Sequence, residues 1–309
     1  MAASRSALPA AGGQMPVPRI AGRILRSRLA VLWSDLQAAC VDRPDADAVH
    51  RLRVATRRGL AALDAFDELL PERRRAWFRR RLRRIRHAAG EARDLDVLLD
   101  TLGTESASAV TGPGPRARAR LVAMLSRQRL QSRRPIRELR DRLAAADWHG
   151  RVERLLDRVA LRHRDESFAR YAVRRFKPLM RRFFARADRR LKDDGELHRL
   201  RIEGKKLRYT LEIFAPVFAP RVRDRCAESL QRLQATLGTF TDHAAAADRF
   251  RRWSKADGLA SVRGTLANLR RREVTKAERA RKSFTKWWKP RRRRALRRTF
   301  TRSLKLDSA

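Results

Sequence analysis

The side chains best suited to chemistry are histidines and basic residues that recur at one spacing in two parts of the chain. On a helix with about 100° between residues, each set falls on one side, and apolar residues such as Leu52 and Leu200 fall on the other. The first set contains His50, Arg53, Arg57 and Arg58, and the second contains His198, Arg201, Lys205, Lys206 and Arg208. Each stretch therefore predicts a helix with one core-facing side and one strongly cationic side.

These residue types suit the binding of phosphoryl oxygens. An arginine can bind two oxygens at once through its planar guanidinium group, and a lysine adds a mobile point charge. A histidine can donate from both ring nitrogens once a neighbouring polyanion raises its pKa. A row of such groups fits a linear chain of phosphates and does not read bases. The alternative is a solvated, arginine-rich helix face, and it is weakened because the spacing occurs twice in register.

The two stretches belong to a longer internal repeat. Residues 49–66 align with 197–214 at an offset of 148 positions, and Asp94 aligns with Asp242 at the same offset without a gap. We therefore predict a tandem duplication of a helical unit of about 140 residues. The two units are expected to pack around a pseudo-twofold axis, because each has apolar faces to bury.

The elements that must position these side chains are all predicted to be helices. Apolar residues recur at spacings of three and four, and neither an alternating β-branched run nor an Asn-Gly turn predicts a strand. Residues 1–18 are rich in Ala, Gly, Pro and Ser, which is typical of a flexible arm. We place repeat one at about 19–147, repeat two at about 165–305 and a short tail at 306–309. The predicted fold class is all-α, with two helical bundles.

The chain is strongly basic. Its 309 residues include 76 Lys and Arg against 34 Asp and Glu, which gives a formal net charge of +42. A surface built only for solubility mixes both signs, so this excess predicts a polyanionic partner. The candidates are DNA, RNA, an anionic membrane surface and inorganic polyphosphate. Hydrophobic residues reach 43%, which supports a packed core and excludes wholesale disorder.

Several classes of protein are not favoured by the sequence. No apolar run approaches the roughly 18 residues of a membrane-spanning helix. The first residues contain no apolar block of signal-peptide length, so we expect a cytoplasmic protein without a membrane partner. Cys40 and Cys226 lie far apart and outside any C-x-x-C motif. They therefore argue against a disulfide scaffold and a cysteine-based zinc site.

At its repeated motifs the sequence resembles the CHAD family, the conserved histidine α-helical domain. The matching segments are VHRLRVATRR at 49–58, LHRLRIEGKKLRY at 197–209, GEARDLDVL at 90–98 and LGTFTDHAAA at 237–246. The resemblance spans roughly 20–305. It implies two four-helix units with pseudo-twofold symmetry around a basic central pore or groove. It also implies inorganic polyphosphate as the ligand, often with association with polyphosphate granules.

The resemblance also assigns residues. Carried over by position, the two cationic sets given above become the polyphosphate-binding residues. One position departs from the family pattern, because the cation at Arg208 has no counterpart at Leu60, the aligned residue of the first repeat. The second repeat is therefore expected to contribute more to binding than the first.

Two further basic segments are candidates for contact with a polyanion. One is a helix at 73–87, where a solvated face is an equally good explanation. The candidates on this helix are Arg80, Arg83 and Arg84. After it, Arg93 and Asp94 are expected to form a structural pair or a cap. The other segment, 286–300, combines arginines with Trp287 and Trp288, which are expected to be core anchors rather than platforms for bases.

The sequence contains no recognisable catalytic motif. It has neither a G-x-x-x-x-G-K-[ST] loop nor an H-E-x-x-H motif. The E-x-E-x-K motif of the triphosphate-tunnel domain, which is often fused to CHAD domains, is also missing. Asp47 and Asp194 precede His50 and His198 by three and four residues, and helix capping explains them better than metal ligation. We therefore expect a protein without enzymatic activity, cofactor or metal.

Three functions follow as hypotheses. The leading one is binding of inorganic polyphosphate and docking on its granules, with granule-associated proteins as further partners. The alternative is a histone-like protein that binds or compacts nucleic acid, suggested by the net charge and the RRRR run at 291–294. Nucleic acid can also be a secondary partner under the first hypothesis. The third is a metal-dependent phosphohydrolase.

Overall fold

The described part of the chain is almost entirely helical. The structure, a computed structural model, describes residues 15–41, 47–104, 115–189, 191, 193–256 and 259–304. The helices of the first half are α1 (Val17–Ala38), α2 (Ala48–Ala65), α3 (Glu72–Thr104), α4 (Pro115–Ala145) and α5 (Trp148–Ala160). Those of the second half are α6 (Phe168–Ala187), α7 (Asp194–Ile213), α8 (Pro220–Trp253), α9 (Arg263–Trp287) and α10 (Pro290–Ser303). Three short 3₁₀ helices lie at Asp67–Leu69, Ala215–Val217 and Ala260–Val262.

The predicted all-α class is confirmed. Across the described part of the chain, the sole β-type pairing is an isolated bridge between Pro16 and Ser167. The residues of the predicted arm up to position 14 and of the predicted 306–309 tail lie outside the described residues. The first helix begins at Val17, inside the predicted arm, because Val17 and Pro18 are already buried.

Helix positions recur close to the predicted offset. Helix α3 begins at Glu72 and α8 at Pro220, 148 positions later. Helices α2 and α7 end at Ala65 and Ile213, which are separated by the same interval. Each half contains five helices in the described residues, one more than the predicted four. The additional helix α5 follows the first predicted repeat and packs on α1, and the additional helix α10 lies at the end of the second and packs on α8 and α6. The pseudo-twofold symmetry itself stays a prediction.

The end of the first half departs from a simple sequence rule. A proline inside a helix normally breaks or kinks it, whereas α4 continues through Pro135 to Ala145. Ile136 and Leu143 are buried in the core on one side of this helix, and their packing outweighs a cost of about 3 kcal/mol for an internal proline. The chain then turns at Asp147, whose φ of 55° lies in the left-handed region that aspartate tolerates.

The two halves pack directly on each other through α2 and α7. Phe66 follows α2 and Phe214 follows α7, and these aligned residues are both fully buried. Their ring centroids lie 6.0 Å apart in an edge-to-face arrangement. Tyr171 of α6 stacks on Phe66 at 6.0 Å and donates its hydroxyl hydrogen to the Ala65 carbonyl at 2.8 Å. The ends of α2 and α7 are thereby fixed in one aromatic cluster.

The halves meet again at a second apolar core, separate from the main one. It joins the later part of α3 and the first part of α4 to the end of α8 and the start of α9. Its buried residues are Leu95, Leu98, Leu102, Leu121, Leu125, Phe250, Val262, Leu266 and Leu269. Next to it, Arg249 of α8 donates a hydrogen bond to Asp94 of α3 at 3.0 Å. The two halves are therefore held together at two places.

Candidate functional site

The contact between α2 and α7 brings the two predicted cationic sets together. Arg53 and Arg57 lie one turn apart on α2, and Arg201 and Lys205 have the same spacing on α7. We call these four residues the central cationic cluster. Burial and then the positive charges of Arg57 and Arg201 lower the pKa of Lys205 to about 7. Basic groups from both repeats therefore act on one another across the helix contact.

The aspartate of each repeat lies beside the arginine of the same repeat. Arg53 donates hydrogen bonds to the Asp94 carboxylate at 3.2 Å and to the Gly90 carbonyl at 3.1 Å. In the second repeat, Arg201 and Asp242 lie 3.8 Å apart. Among the described residues Asp94 pairs with Arg53 of its own half and with Arg249 of the other half, rather than with Arg93 as we expected.

The remaining two members of the cluster, Arg57 and Lys205, differ from Arg53 and Arg201 in having no acidic ion-pair partner among the described residues. Within the described residues, no carboxylate lies at ion-pair distance from Arg57 or Lys205. The buried Nε of Arg201 likewise has no hydrogen-bond acceptor among them. Uncompensated charge and unused donors in a partly buried place are features typical of an anion-binding site, since burying such groups without a partner is costly.

The two predicted histidines lie on the exposed side of the same helices, one turn before the arginines. Burial and then Arg93 lower the pKa of His50, while burial and then Arg201 lower the pKa of His198. Both imidazoles are therefore mostly neutral at pH 7 without a ligand. A polyanion bound beside them opposes this effect and favours the doubly donating imidazolium form.

Three other predicted residues are engaged by acidic side chains of the protein. Arg58 donates a hydrogen bond across the halves to Glu212 at 3.0 Å, and Lys206 donates one to Glu203 at 2.8 Å. Arg208 lies 4.0 Å from Glu212 and stacks on the neighbouring Tyr209 at 4.8 Å. Leu60, its aligned counterpart, is only 9% exposed. The lack of a cation at position 60 therefore has little effect on the cluster, because its counterpart Arg208 contacts Glu212 and Tyr209 of its own half.

The basic helix α3 adds a residue that the sequence did not single out. Burial and then the positive charges of Arg57 and Arg83 lower the pKa of Arg86, so Arg86 lies near both of these arginines. The other predicted residues of this helix are Arg80 and Arg84, and it is the pKa of Arg81 that is lowered by burial and then by their positive charges. The sequence could have indicated Arg86, because its spacing of three residues from Arg83 puts both on one side of the helix.

The C-terminal basic segment is part of the packed fold. Trp288 is buried and stacks on Phe284 with ring centroids 6.0 Å apart, as predicted for a core anchor. Trp287 is partly buried and contacts the guanidinium groups of Arg232 and Arg292. Phe300 of α10 is fully buried as well. Deletion of residues 289–309 would therefore damage the core, and substitutions are the better test of this segment.

The aspartates before the histidines do not cap their helices as predicted. Asp193 caps α7, accepting a hydrogen bond from the Glu196 amide at 2.7 Å, while Asp194 pairs with Arg281 at 3.3 Å. Asp47 makes no capping hydrogen bond to α2. Within the described ranges, no three His, Cys, Asp or Glu side chains are grouped to hold a metal ion. Nor does any described helix have an apolar stretch long enough to cross a bilayer.

Comparisons with known proteins agree with this architecture. The family model of the CHAD domain matches residues 23–251. The crystal structure of the CHAD domain from the plant Ricinus communis is similar, with a TM-score of 0.65 and 22% identity, over 86% of this chain and 91% of that one. PptA from Streptomyces chartreusis gives a TM-score of 0.55 and 18% identity, over 89% and 99%. No curated protein sequence matches.

Proposed function

The chain belongs to the CHAD family, and from that premise we propose that its central cationic cluster binds inorganic polyphosphate. The observation that carries the proposal is the meeting of Arg57 and Lys205 from the two repeats. Within the described residues, neither has a carboxylate at ion-pair distance. A ligand with closely spaced negative charges is the complement of such a site.

The form of the ligand follows from the arrangement of the cations. Arg83 and Arg86 follow one another along one side of α3, and the positive charge of Arg57 in the cluster acts on Arg86. A single file of phosphates can follow these three residues and present oxygens to one guanidinium after another. A nucleic acid must also accommodate its sugars and bases, and the rings of Phe66, Tyr171 and Phe214 at the contact of α2 and α7 are fully buried and cannot receive them.

We further propose that binding is the whole activity of this chain and that it directs the protein to polyphosphate granules in the cytoplasm. The side chains that converge at α2 and α7 are cations and hydrogen-bond donors, which hold phosphate groups in place. Granule surfaces present many chains at once, so even a modest affinity for one segment is reinforced by rebinding.

The proposal is tested by titration of the full-length protein with long-chain polyphosphate, duplex DNA and RNA at equal phosphate concentration. In about 0.15 M salt, where nonspecific charge attraction is partly screened, we expect polyphosphate to bind at least tenfold more tightly. Equal or tighter binding of either nucleic acid would overturn the proposal and favour the histone-like alternative.

Asp94 is expected to compete with the ligand for Arg53. Its carboxylate accepts a hydrogen bond from Arg53 at 3.2 Å in the absence of any phosphate. Asp94→Asn removes this negative charge, so polyphosphate is expected to bind about two- to fivefold more tightly. Titration calorimetry checks this against Asp141→Asn, which makes the same change of charge at an exposed pair on α4. Weaker binding by the Asp94 variant alone would show that Asp94 positions Arg53 rather than competes for it.

Polyphosphate binding is expected to weaken as the pH rises above 7. The free protein loses the Lys205 proton with a pKa of about 7, and a bound polyanion raises that pKa. Above pH 7, Lys205 must therefore gain a proton when polyphosphate binds. This requirement lowers the affinity by up to about tenfold per pH unit, until the pH reaches the raised pKa of Lys205 in the complex. Protonation of His50 and His198 adds affinity in the acidic range.

The control for this pH dependence is Lys205→Arg, which keeps the positive charge at all pH values. Binding is measured between pH 6 and 9, in two buffers with different ionisation enthalpies so that proton uptake is read directly. The variant is expected to lose most of the decline above pH 7. The same decline in both proteins would assign it to another group.

A further inference from the structure

Lys205 is the single amine of the central cationic cluster, whose other three members are arginines. Arg201 precedes it by one turn on α7, and Arg53 and Arg57 act on it from α2. Asp242 of α8 is the acidic group that opposes them. Lys205 remains partly exposed, so a small molecule can reach its amine.

The surroundings of Lys205 favour a reactive form of the amine. An ordinary lysine leaves on the order of one amine in a thousand neutral at pH 7. Burial, with Arg57 and Arg201, lowers the pKa of Lys205 to about 7, so about half of its amines are neutral there. A neutral amine is a nucleophile and an ammonium group is not. The guanidinium groups that favour loss of the proton are also those that bind a phosphoryl anion.

We propose that Lys205 is a covalent acylation site that reacts with small acyl phosphates. The phosphate group binds Arg57 and Arg201, which brings the acyl carbon next to Nζ. The Nζ lone pair bonds to the acyl carbon, and the bond from this carbon to the phosphate oxygen breaks, so that phosphate leaves with the electron pair. The nitrogen releases one proton to solvent. The products are an amide and inorganic phosphate, and nothing is oxidised or reduced.

Acylation removes a positive charge from the centre of the cluster. The modified chain is therefore expected to bind polyphosphate more weakly, and its affinity becomes sensitive to the supply of activated acyl groups. This consequence rests on the proposed polyphosphate function. The acylation itself requires only that the arginines bind one phosphate group beside the amine.

The test is incubation of the full-length protein with acetyl phosphate near neutral pH, followed by cleavage after Glu203 and Glu212. Peptide 204–212 carries both Lys205 and Lys206, and its fragment ions in a mass spectrometer distinguish them. Lys206 is the internal control, because its side chain is 52% exposed and forms an ion pair with Glu203. We expect Lys205 to be acetylated at least about tenfold faster than Lys206. Equal rates would overturn the proposal.

Two additions separate the parts of the proposal. The first uses p-nitrophenyl acetate, a neutral reagent without a phosphate group. With it, the preference for Lys205 over Lys206 is expected to shrink. An unchanged preference would overturn the role of Arg57 and Arg201 in binding the reagent. Added polyphosphate is expected to protect Lys205 from acetyl phosphate. A retained preference without protection would support the acylation site and overturn the proposed polyphosphate function.

Discussion

Replacing Arg57 and Lys205 together with glutamine is expected to weaken polyphosphate binding by at least about a hundredfold, because each removes a charged contact worth about 1.5–3 kcal/mol. Within the described residues, neither has a carboxylate at ion-pair distance, so their charge is available to a ligand. The slope of log K against log salt is expected to fall by about 1.4, at about 0.7 for each lost contact with a single strand. Titration calorimetry across a salt series measures both effects.

The matched control replaces Arg294 and Arg298 with glutamine. These two arginines are exposed on α10, and their replacement removes the same net charge. Affinity is expected to change by less than about threefold, since exposed charges far from a ligand are screened by salt. If the control lost as much affinity as the Arg57 and Lys205 variant, binding would reside in the general basic surface and not in the cluster.

Phe214→Ala is expected to lower the free energy of unfolding by about 3–5 kcal/mol, the usual cost of removing a buried aromatic ring. The Phe214 ring is fully buried and lies 6.0 Å from Phe66, 5.8 Å from Phe168 and 6.2 Å from Tyr171. Because this cluster holds the end of α2 against α7, polyphosphate affinity is expected to fall in the folded variant as well. Denaturant unfolding followed by circular dichroism measures the first effect, and titration measures the second.

Phe284→Ala separates the two effects. Phe284 is 1% exposed and packs in the main core on α9, against Trp288 rather than at the contact between α2 and α7. Its truncation is expected to cost a similar free energy of unfolding and to leave polyphosphate affinity close to that of the parent protein. Equal losses of affinity in both variants would attribute the effect of Phe214→Ala to general destabilisation.

The helical period of the sequence was sufficient to predict the cationic sides of α2 and α7. It identifies which residues share one side of a helix, and His50, Arg53 and Arg57 share theirs because of their spacing alone. That inference uses only local geometry, and for this reason it needed no tertiary contact. The repeat offset also aligned Asp94 with Asp242, but their pairing with Arg53 and Arg201 was not predicted, because it depends on contacts between helices.

What the period cannot predict is the partner across a helix contact. Arg58 and Glu212 are 154 positions apart, and only the packing of α2 on α7 brings them within 3.0 Å. The same limit applies to Arg86, which lies near Arg57 of the cluster because α3 packs on α2. The pKa of Lys205 depends on burial and on charges from the other half, and neither is a property of its own helix.

The division of the apolar interior into two cores has a consequence for how a long polymer enters. The second core contains nine buried residues, whereas the main one extends through most helices of both halves. Local opening costs least where the fewest apolar contacts break, so the ends of α3 and α8 can part while the bundles stay folded. Under the proposed function, a polymer without a nearby terminus would then enter from the side and would not need to be threaded end first.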